Sequence, residues 1–343
     1  MRKGIPMTTA LSPAPSMHDA VREYGRWRVG AGGYSINTWA GEVPGLLAFA
    51  DYCADVGVER FYQLNDGLLD DWWADTKGRL AEATAPVRLH QLRSFLHWAM
   101  TKKWLAEDPT VLIRAPKPAP EPRQRLTARE LLDLIEAADY PQHRIILALA
   151  ANLAVRQSEI VSLLIRDVDL DAMSIRVHVH KTKKTPPDDM PLTAELADEL
   201  RRWLAHYRAA CPGLTSGMHL VPSQYVSPQG TVVYRPDRSI GDPEDVVKRA
   251  LTRLGWDDVK GQGIHTVRAS MARIFFDAVL EEEGDGKFDE ALLGCMRLLH
   301  HDRPETTLRY IGVDLQTLAR DKFLRGRPFL TRVAGAPKLA IAK

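Results

Sequence analysis

Residues 298–311 read LLHHDRPETTLRYI. Pro304 suits the first turn of a short helix, where its missing N–H leaves no gap, and Tyr310 falls at the end of that helix. Three upstream stretches share this basic, polar character. Residues 154–163 read AVRQSEIVSL, 180–184 read HKTKK and 263–270 read GIHTVRAS. Taken singly, each has an ordinary explanation. Arg156 and Glu159 are spaced as a surface ion pair, and Lys181 lies in a polar turn. His265 and Arg268 are three apart and share one face of a helix start. Taken in order, the four stretches carry the reading of the whole chain.

Around them the pattern is mainly helical. Residues 174–180 alternate strictly, with Ile175, Val177 and Val179 on one face and Arg176, His178 and His180 on the other. That predicts a half-buried strand. KTKKTPPDD follows as a polar turn, and residues 190–192 form the returning strand. Thr127 and Glu130 make a capping-box pattern that opens a helix to Ala138. Further helices are predicted at 144–154, 194–209, 244–254, 265–280, 290–299 and from Pro304. Toward the N-terminus, Ser35 caps a helix to about Tyr52 that Pro44 should kink or split. Helices are also predicted near 17–28, 66–73 and 85–104, the last with Thr84 as its cap. Between the two helical regions lies RAPKPAPEPRQR, residues 114–125. Its alternating prolines deny helical hydrogen bonds and make a stiff connection. The expected organisation is an N-terminal extension, 1–34; a helical domain, 35–113; the linker, 114–125; and a larger domain, 126–343. The fold class is mainly α with a small antiparallel β-sheet (α+β).

Composition narrows the function classes. At 343 residues and 38.4 kDa the chain suits two domains, and 45% hydrophobic with 26% charged residues is the balance of a folded protein. Cys53, Cys211 and Cys295 lie far apart with no CxxC pair, which argues against a disulfide scaffold or a cysteine zinc site. The longest apolar run, 145–151, is far short of a membrane span, and the N-terminus has no signal-peptide core. A cytoplasmic protein with no membrane partner is expected. The net charge of +2 does not announce a polyanion partner, although residues 318–343 hold seven basic groups against the single Asp321. There is no phosphate-binding glycine loop, no HExxH spacing and no GxSxG turn, so neither a metal nor a cofactor is expected.

The ordered set Arg, Lys, HxxR and His-x8-Tyr resembles the tyrosine recombinases of the phage integrase family. VRQSEIVSL is similar to that family's first arginine box, HTVRAS to its HxLRH box, and LLHHDRPETTLRYI to its LGHxxxxTTxxY box. Residues 35–117 resemble the helical, SAM-like core-binding domain, particularly LHQLRSFLHWAMTKKWLAEDPTVLIRAPK. Three departures stand out. Ala154 and His300 occupy positions where glycine is usual, and Ala269 replaces the second histidine of HxLRH. The interval from His265 to Tyr310 is also stretched, through the acidic segment EEEGDGKFDE at 281–290.

The resemblance implies a bacterial site-specific recombinase, most like an integrase of a phage or mobile element. It would cleave double-stranded DNA through a 3′-phosphotyrosyl intermediate with Tyr310 as nucleophile. Four protomers would assemble on two DNA sites and exchange a segment after Tyr310, with accessory directionality or DNA-bending proteins as further partners. The residue types suit that reaction on physical grounds. Phosphoryl transfer builds charge on the non-bridging oxygens, which permanently charged, forked guanidiniums are fit to clamp: Arg156 and Arg268. His301 adds a donor, and His265 serves as base or hydrogen-bond partner to Tyr310. A lysine can protonate the departing 5′-oxygen, which assigns Lys181 as general acid with Lys183 as its alternate. Glu159 braces the arginines. Arg88, Arg93, Lys102 and Lys103, on or beside helix 85–104, are the candidate DNA contacts of the first domain. A catalytically inactive regulator on the same scaffold and a type IB topoisomerase-like enzyme are the competing readings.

Overall fold

The computed structural model describes residues 14–116, 124–179, 186–256, 259, 261–283 and 287–313. The chain divides into two compact units, 1–121 and 122–343, with the division inside the proline-rich stretch.

In the first unit, α1 (Met17–Val29), α2 (Ile36–Asp55), α3 (Asp66–Arg79) and α4 (Thr84–Thr101) surround one aromatic core. Tyr24, Phe49, Phe61, Phe95 and Leu92 are all buried there. The Tyr24 ring lies 5.3 Å from Trp98 and 5.4 Å from Phe95. Residues 17–29 therefore belong to this unit's core instead of forming an extension apart from it, because Met17, Ala20, Val21 and Tyr24 make one apolar face. Ser35 caps α2, its Oγ accepting from the Thr38 N–H at 3.0 Å. The helix runs unbroken through Pro44, where the sequence predicts a kink or split. Packing against α1 and α4 holds it together. Thr84 is the first helical residue of α4, with Ala83 as an uncapped N-cap.

The second unit is built around α6 (Pro141–Leu153), whose residues Ile145–Ala150 are almost wholly buried. Helices α5 (Ala128–Glu136), α8 (Ala194–Ala210), α9 (Glu244–Arg253) and α10 (Ile264–Glu283) pack around it. The capping box of α5 forms as read: Glu130 Oε2 accepts from the Thr127 N–H at 2.7 Å, and Thr127 Oγ1 accepts from the Glu130 N–H. A three-stranded antiparallel sheet of β1 (Val168–Asp169), β2 (Ser174–Val177) and β3 (Asp188–Pro191) lies to one side, with Ile175 opposite Met190. Ile175 and Val177 face inward, so the alternation gave the correct face. A second hairpin, β4 (Pro222–Val226) with β5 (Val232–Ser239), occupies the stretch between the helices predicted at 194–209 and 244–254, for which no element is predicted. Helices α11 (Phe288–Leu299) and α12 (Pro304–Ile311) complete the unit and enclose a small cluster of Ala154, Ala272, Phe276, Cys295, Leu299 and Ile311. The acidic segment is helical at both ends, α10 extending to Glu283 and α11 starting at Phe288.

The end of the linker is tied to this body. The Leu126 N–H donates to Ser270 Oγ of α10 at 2.9 Å, and the Arg125 guanidinium lies against Gly312, where any Cβ would overlap it. Among the described residues, no helix is long and apolar enough to cross a membrane.

Candidate active site

The site begins where α6 stops. Ala154 adopts the left-handed conformation, φ 49° and ψ 33°, at a cost of about 1–2 kcal/mol for a residue with a Cβ. The turn reverses the chain and sets Arg156 at the mouth of the short helix α7 (Gln157–Ser162). Glu159, on that helix and fully buried, reaches back to Arg156. Its Oε2 accepts from the Arg156 backbone N–H at 2.7 Å and its Oε1 from Arg156 NH1 at 2.7 Å.

Arg268 is delivered from the first turns of α10 and is only 2% exposed. Its NH1 donates to the Ala154 carbonyl and lies 3.6 Å from Glu159 Oε2, and its NH2 donates to the Leu299 carbonyl. Arg156 NH2 donates to that same carbonyl at 3.1 Å. Two guanidiniums thus converge on one backbone oxygen at the C-terminus of α11, where helix carbonyls have no intrahelical partner. Burial pushes the Arg268 pKa down to about 10. The Arg156 charge acts the same way, with Tyr310 and Glu159 acting in opposition. Arg268 remains a cation at neutral pH.

Beyond Leu299 the chain makes a second left-handed turn, at His300 (φ 49°, ψ 50°), closed by the His301 N–H donating to the Met296 carbonyl. His301 Nδ1 meets Thr307 Oγ1 at 3.1 Å, and its ring stands edge-on to Tyr310 with centroids 5.5 Å apart. Pro304 takes the first turn of α12, as predicted. Tyr310 projects toward α10: its hydroxyl donates to the His265 carbonyl at 3.2 Å and lies beside the Arg268 side chain. The His265 side chain itself is exposed at the start of α10. One chain therefore brings Arg156, Glu159, Arg268, His301 and Tyr310 together. Lys181 and Lys183 lie outside the described residues, as do Leu315, Leu318, Phe323 and Leu324 of the expected exchange segment. No group of three His, Cys, Asp or Glu side chains among the described residues is placed to hold a metal ion.

Residues 124–316 match the Phage integrase family over more than half of the chain. The chain belongs to the phage integrase family. Among curated relatives, the XerC tyrosine recombinase of Xanthomonas campestris is 27% identical over 280 residues, covering 80% of this chain and 78% of its own length. XerC of Proteus mirabilis is 26% identical over 246 residues, covering 70% and 71%. The fold is shared with a lambda integrase dimer bound to a COC′ core site (TM-score 0.63, 16% identity, 87% of this chain and 77% of that one). It is shared also with the Tn1549 transposon integrase in complex with circular intermediate DNA (TM-score 0.61, 15% identity, 91% and 100%). The protein is accordingly a site-specific tyrosine recombinase, an enzyme that breaks and rejoins DNA strands.

Against this family pattern two of the three departures acquire a physical meaning. Ala154 and His300, which stand where the phage integrase family usually has glycine, are the two left-handed residues flanking the arginine pair. Both turns are left-handed although glycine, the residue best suited to them, is absent. Residue types alone could not point to the carbonyls of Ala154 and Leu299. Thr307 carried a signal, the second threonine of TTLRY, that reads equally well as a surface helix residue.

Two of the candidate DNA contacts of the first unit, Arg88 and Arg93, are engaged within the unit. Arg93 is turned inward, Nε donating to Thr110 Oγ1 at 3.0 Å and NH2 to the carbonyls of Thr110 and Ile113 at 2.8 and 2.7 Å. It braces the loop after α4 instead of facing solvent, because that loop's buried carbonyls need donors. Arg88 is half-buried and donates to Gln91 Oε1 at 3.0 Å and to the Gly41 carbonyl at 3.3 Å. Lys102 pairs with Glu23 at 3.0 Å, and Lys103 is exposed.

Proposed function

We propose that this recombinase cleaves double-stranded DNA at a phosphate held by Arg156 and Arg268, with Tyr310 of the same chain as nucleophile. The observation that carries the reading is the meeting of both guanidiniums at the Leu299 carbonyl with the Tyr310 hydroxyl beside Arg268. Each guanidinium has five N–H donors, and the carbonyl and carboxylate contacts use only part of each set. The remaining donors can take the non-bridging oxygens of a phosphodiester and stabilise the charge that grows there during attack.

The Tyr310 oxygen bonds to phosphorus as the bond to the 5′-oxygen breaks. The phenolic proton passes to His265, and the 5′-oxygen takes a proton from Lys181. The 3′-phosphotyrosyl ester stores the bond energy, so the free 5′-hydroxyl of a partner strand reverses the step and rejoins DNA. A carbonyl can accept only from a protonated phenol, so Tyr310 must leave the His265 carbonyl before it attacks. His301, held at Nδ1 by Thr307, presents Nε2 as a further donor.

The first unit, the linker and the basic end of the chain would supply sequence-independent phosphate contacts. A homotetramer on two DNA sites is the assembly this chemistry needs for strand exchange, and a solved lambda integrase tetramer is bound to a Holliday junction. Directionality and DNA-bending proteins would act on that assembly. A duplex nicked near the cleavage point traps the covalent intermediate, because the released fragment diffuses away. Wild type should accumulate a protein–DNA adduct that survives denaturation, and Tyr310→Phe should form none while binding DNA normally. Equal, negligible adduct from both would replace this reading with that of a DNA-binding regulator.

A further inference from the structure

We infer that His300 is a positioning residue, one that fastens strand β3 to the arginine centre. Its imidazole is inserted between two carboxylates. Nε2 donates to Asp188 Oδ2 at 3.1 Å, and Nδ1 lies 4.0 Å from Glu159 Oε1, the oxygen that accepts from Arg156 NH1. The side chain is only 9% exposed and Asp188 only 12%. Asp188 opens β3 and also accepts from Arg297 of α11 at 2.5 Å, so the strand is bound to the helix end from both sides.

The backbone makes the side chain's presence informative. His300 sits in a left-handed turn, where glycine is favoured over residues that carry a Cβ. A strained residue persists where the surrounding contacts over-determine it, and here the hydrogen bond is the one to Asp188, with Nδ1 facing the Glu159 carboxylate at 4.0 Å without a hydrogen bond. The turn alone could be made better without the side chain. The tethered ring also walls the Glu159 carboxylate that orients Arg156, and an error of about 1 Å in such a group can cost on the order of a hundredfold in rate.

The inference rests on the catalytic reading above for its activity readout, and has a second readout that does not. In the full-length protein, His300→Gly relaxes the turn and should melt at the same temperature or a few degrees higher. Amide hydrogen exchange across 186–192 and 154–160 should nonetheless accelerate about tenfold, and adduct formation on the nicked duplex should slow ten- to a hundredfold with DNA affinity unchanged. His300→Asn, which keeps a turn-tolerant residue but ends short of Asp188, should behave like the glycine variant. Asp188→Asn should slow adduct formation comparably, and His300→Gly with Asp188→Asn should be no slower than the worse single change. A His300→Gly protein that forms adduct at the wild-type rate overturns the inference, whether or not exchange changes. So does a double variant whose losses multiply. If wild type itself forms no adduct, the catalytic reading fails separately. Exchange then decides the tether, and unchanged exchange in His300→Gly overturns it.

Discussion

Replacing Glu159 by Gln removes one charge and changes almost no volume, yet it should destabilise the second unit severely. Glu159 is fully buried and is the carboxylate between two guanidiniums, 2.7 Å from Arg156 and 3.6 Å from Arg268. Unit charges about 4 Å apart attract by about 4 kcal/mol at an effective dielectric near 20. Against this stands the desolvation of a carboxylate that glutamine avoids. Removing one partner of a buried ion pair typically costs about 3–5 kcal/mol net. The amide cannot escape by rotating. Both carboxylate oxygens accept from Arg156, one from the backbone and one from NH1, so either orientation turns an amide N–H toward a donor. Denaturant unfolding of the full chain should therefore show the transition of the second unit falling by about 3–5 kcal/mol, roughly 10 °C in melting temperature, with the first unit's transition unmoved. A loss below about 1 kcal/mol would refute the reasoning, since the guanidiniums would then tolerate one another without an intervening anion.

Arg93→Met should destabilise the first unit by about 2–3 kcal/mol, because it strips donors from the Thr110 and Ile113 carbonyls; weaker DNA binding at unchanged stability would return Arg93 to the DNA contacts. Thr307→Val removes the partner of His301 Nδ1 at nearly constant shape, so single-turnover cleavage should drop about tenfold with unchanged DNA affinity, and Thr307→Ser should restore it. Glu136 is held below its ordinary carboxylate range by its hydrogen bonds from Arg144. A carboxyl depressed in the folded state contributes stability above its unfolded pKa and loses it as pH falls through the folded value. Stability measured downward from pH 5 should thus decline less steeply in Glu136→Gln than in wild type. The effect should be small because the side chain is largely exposed.

The elements legible in the sequence were those whose cause is local. Ser35 and Thr127 declare helix starts through side chains that satisfy nearby N–H groups, and the Ile175–Val177 alternation declares which face is buried. The hairpin Pro222–Val226 with Val232–Ser239 was illegible because Pro222 and Pro236 argue against strands. Its pairing is made by partners distant from each residue's immediate neighbours. The bracing contacts of Arg93 were hidden for the reverse reason. A cation on a helix suggests solvent, and only the folded loop reveals buried carbonyls that need it. At the candidate site, order and spacing identified the charged groups. The acceptors that aim them, the carbonyls of Ala154 and Leu299, carry no side-chain signature and exist only once two helices end in left-handed turns.

The anchoring of residues 125 and 126 has a mechanical consequence. The strut from Leu126 ends on Ser270, two positions along α10 from Arg268, and Arg125 bears on Gly312, two positions past Tyr310. A displacement reaching residues 125 and 126 is grounded at these two points, beside one of the cations and behind the phenol. Such a displacement bears on the helices that carry the reacting groups, α10 and α12.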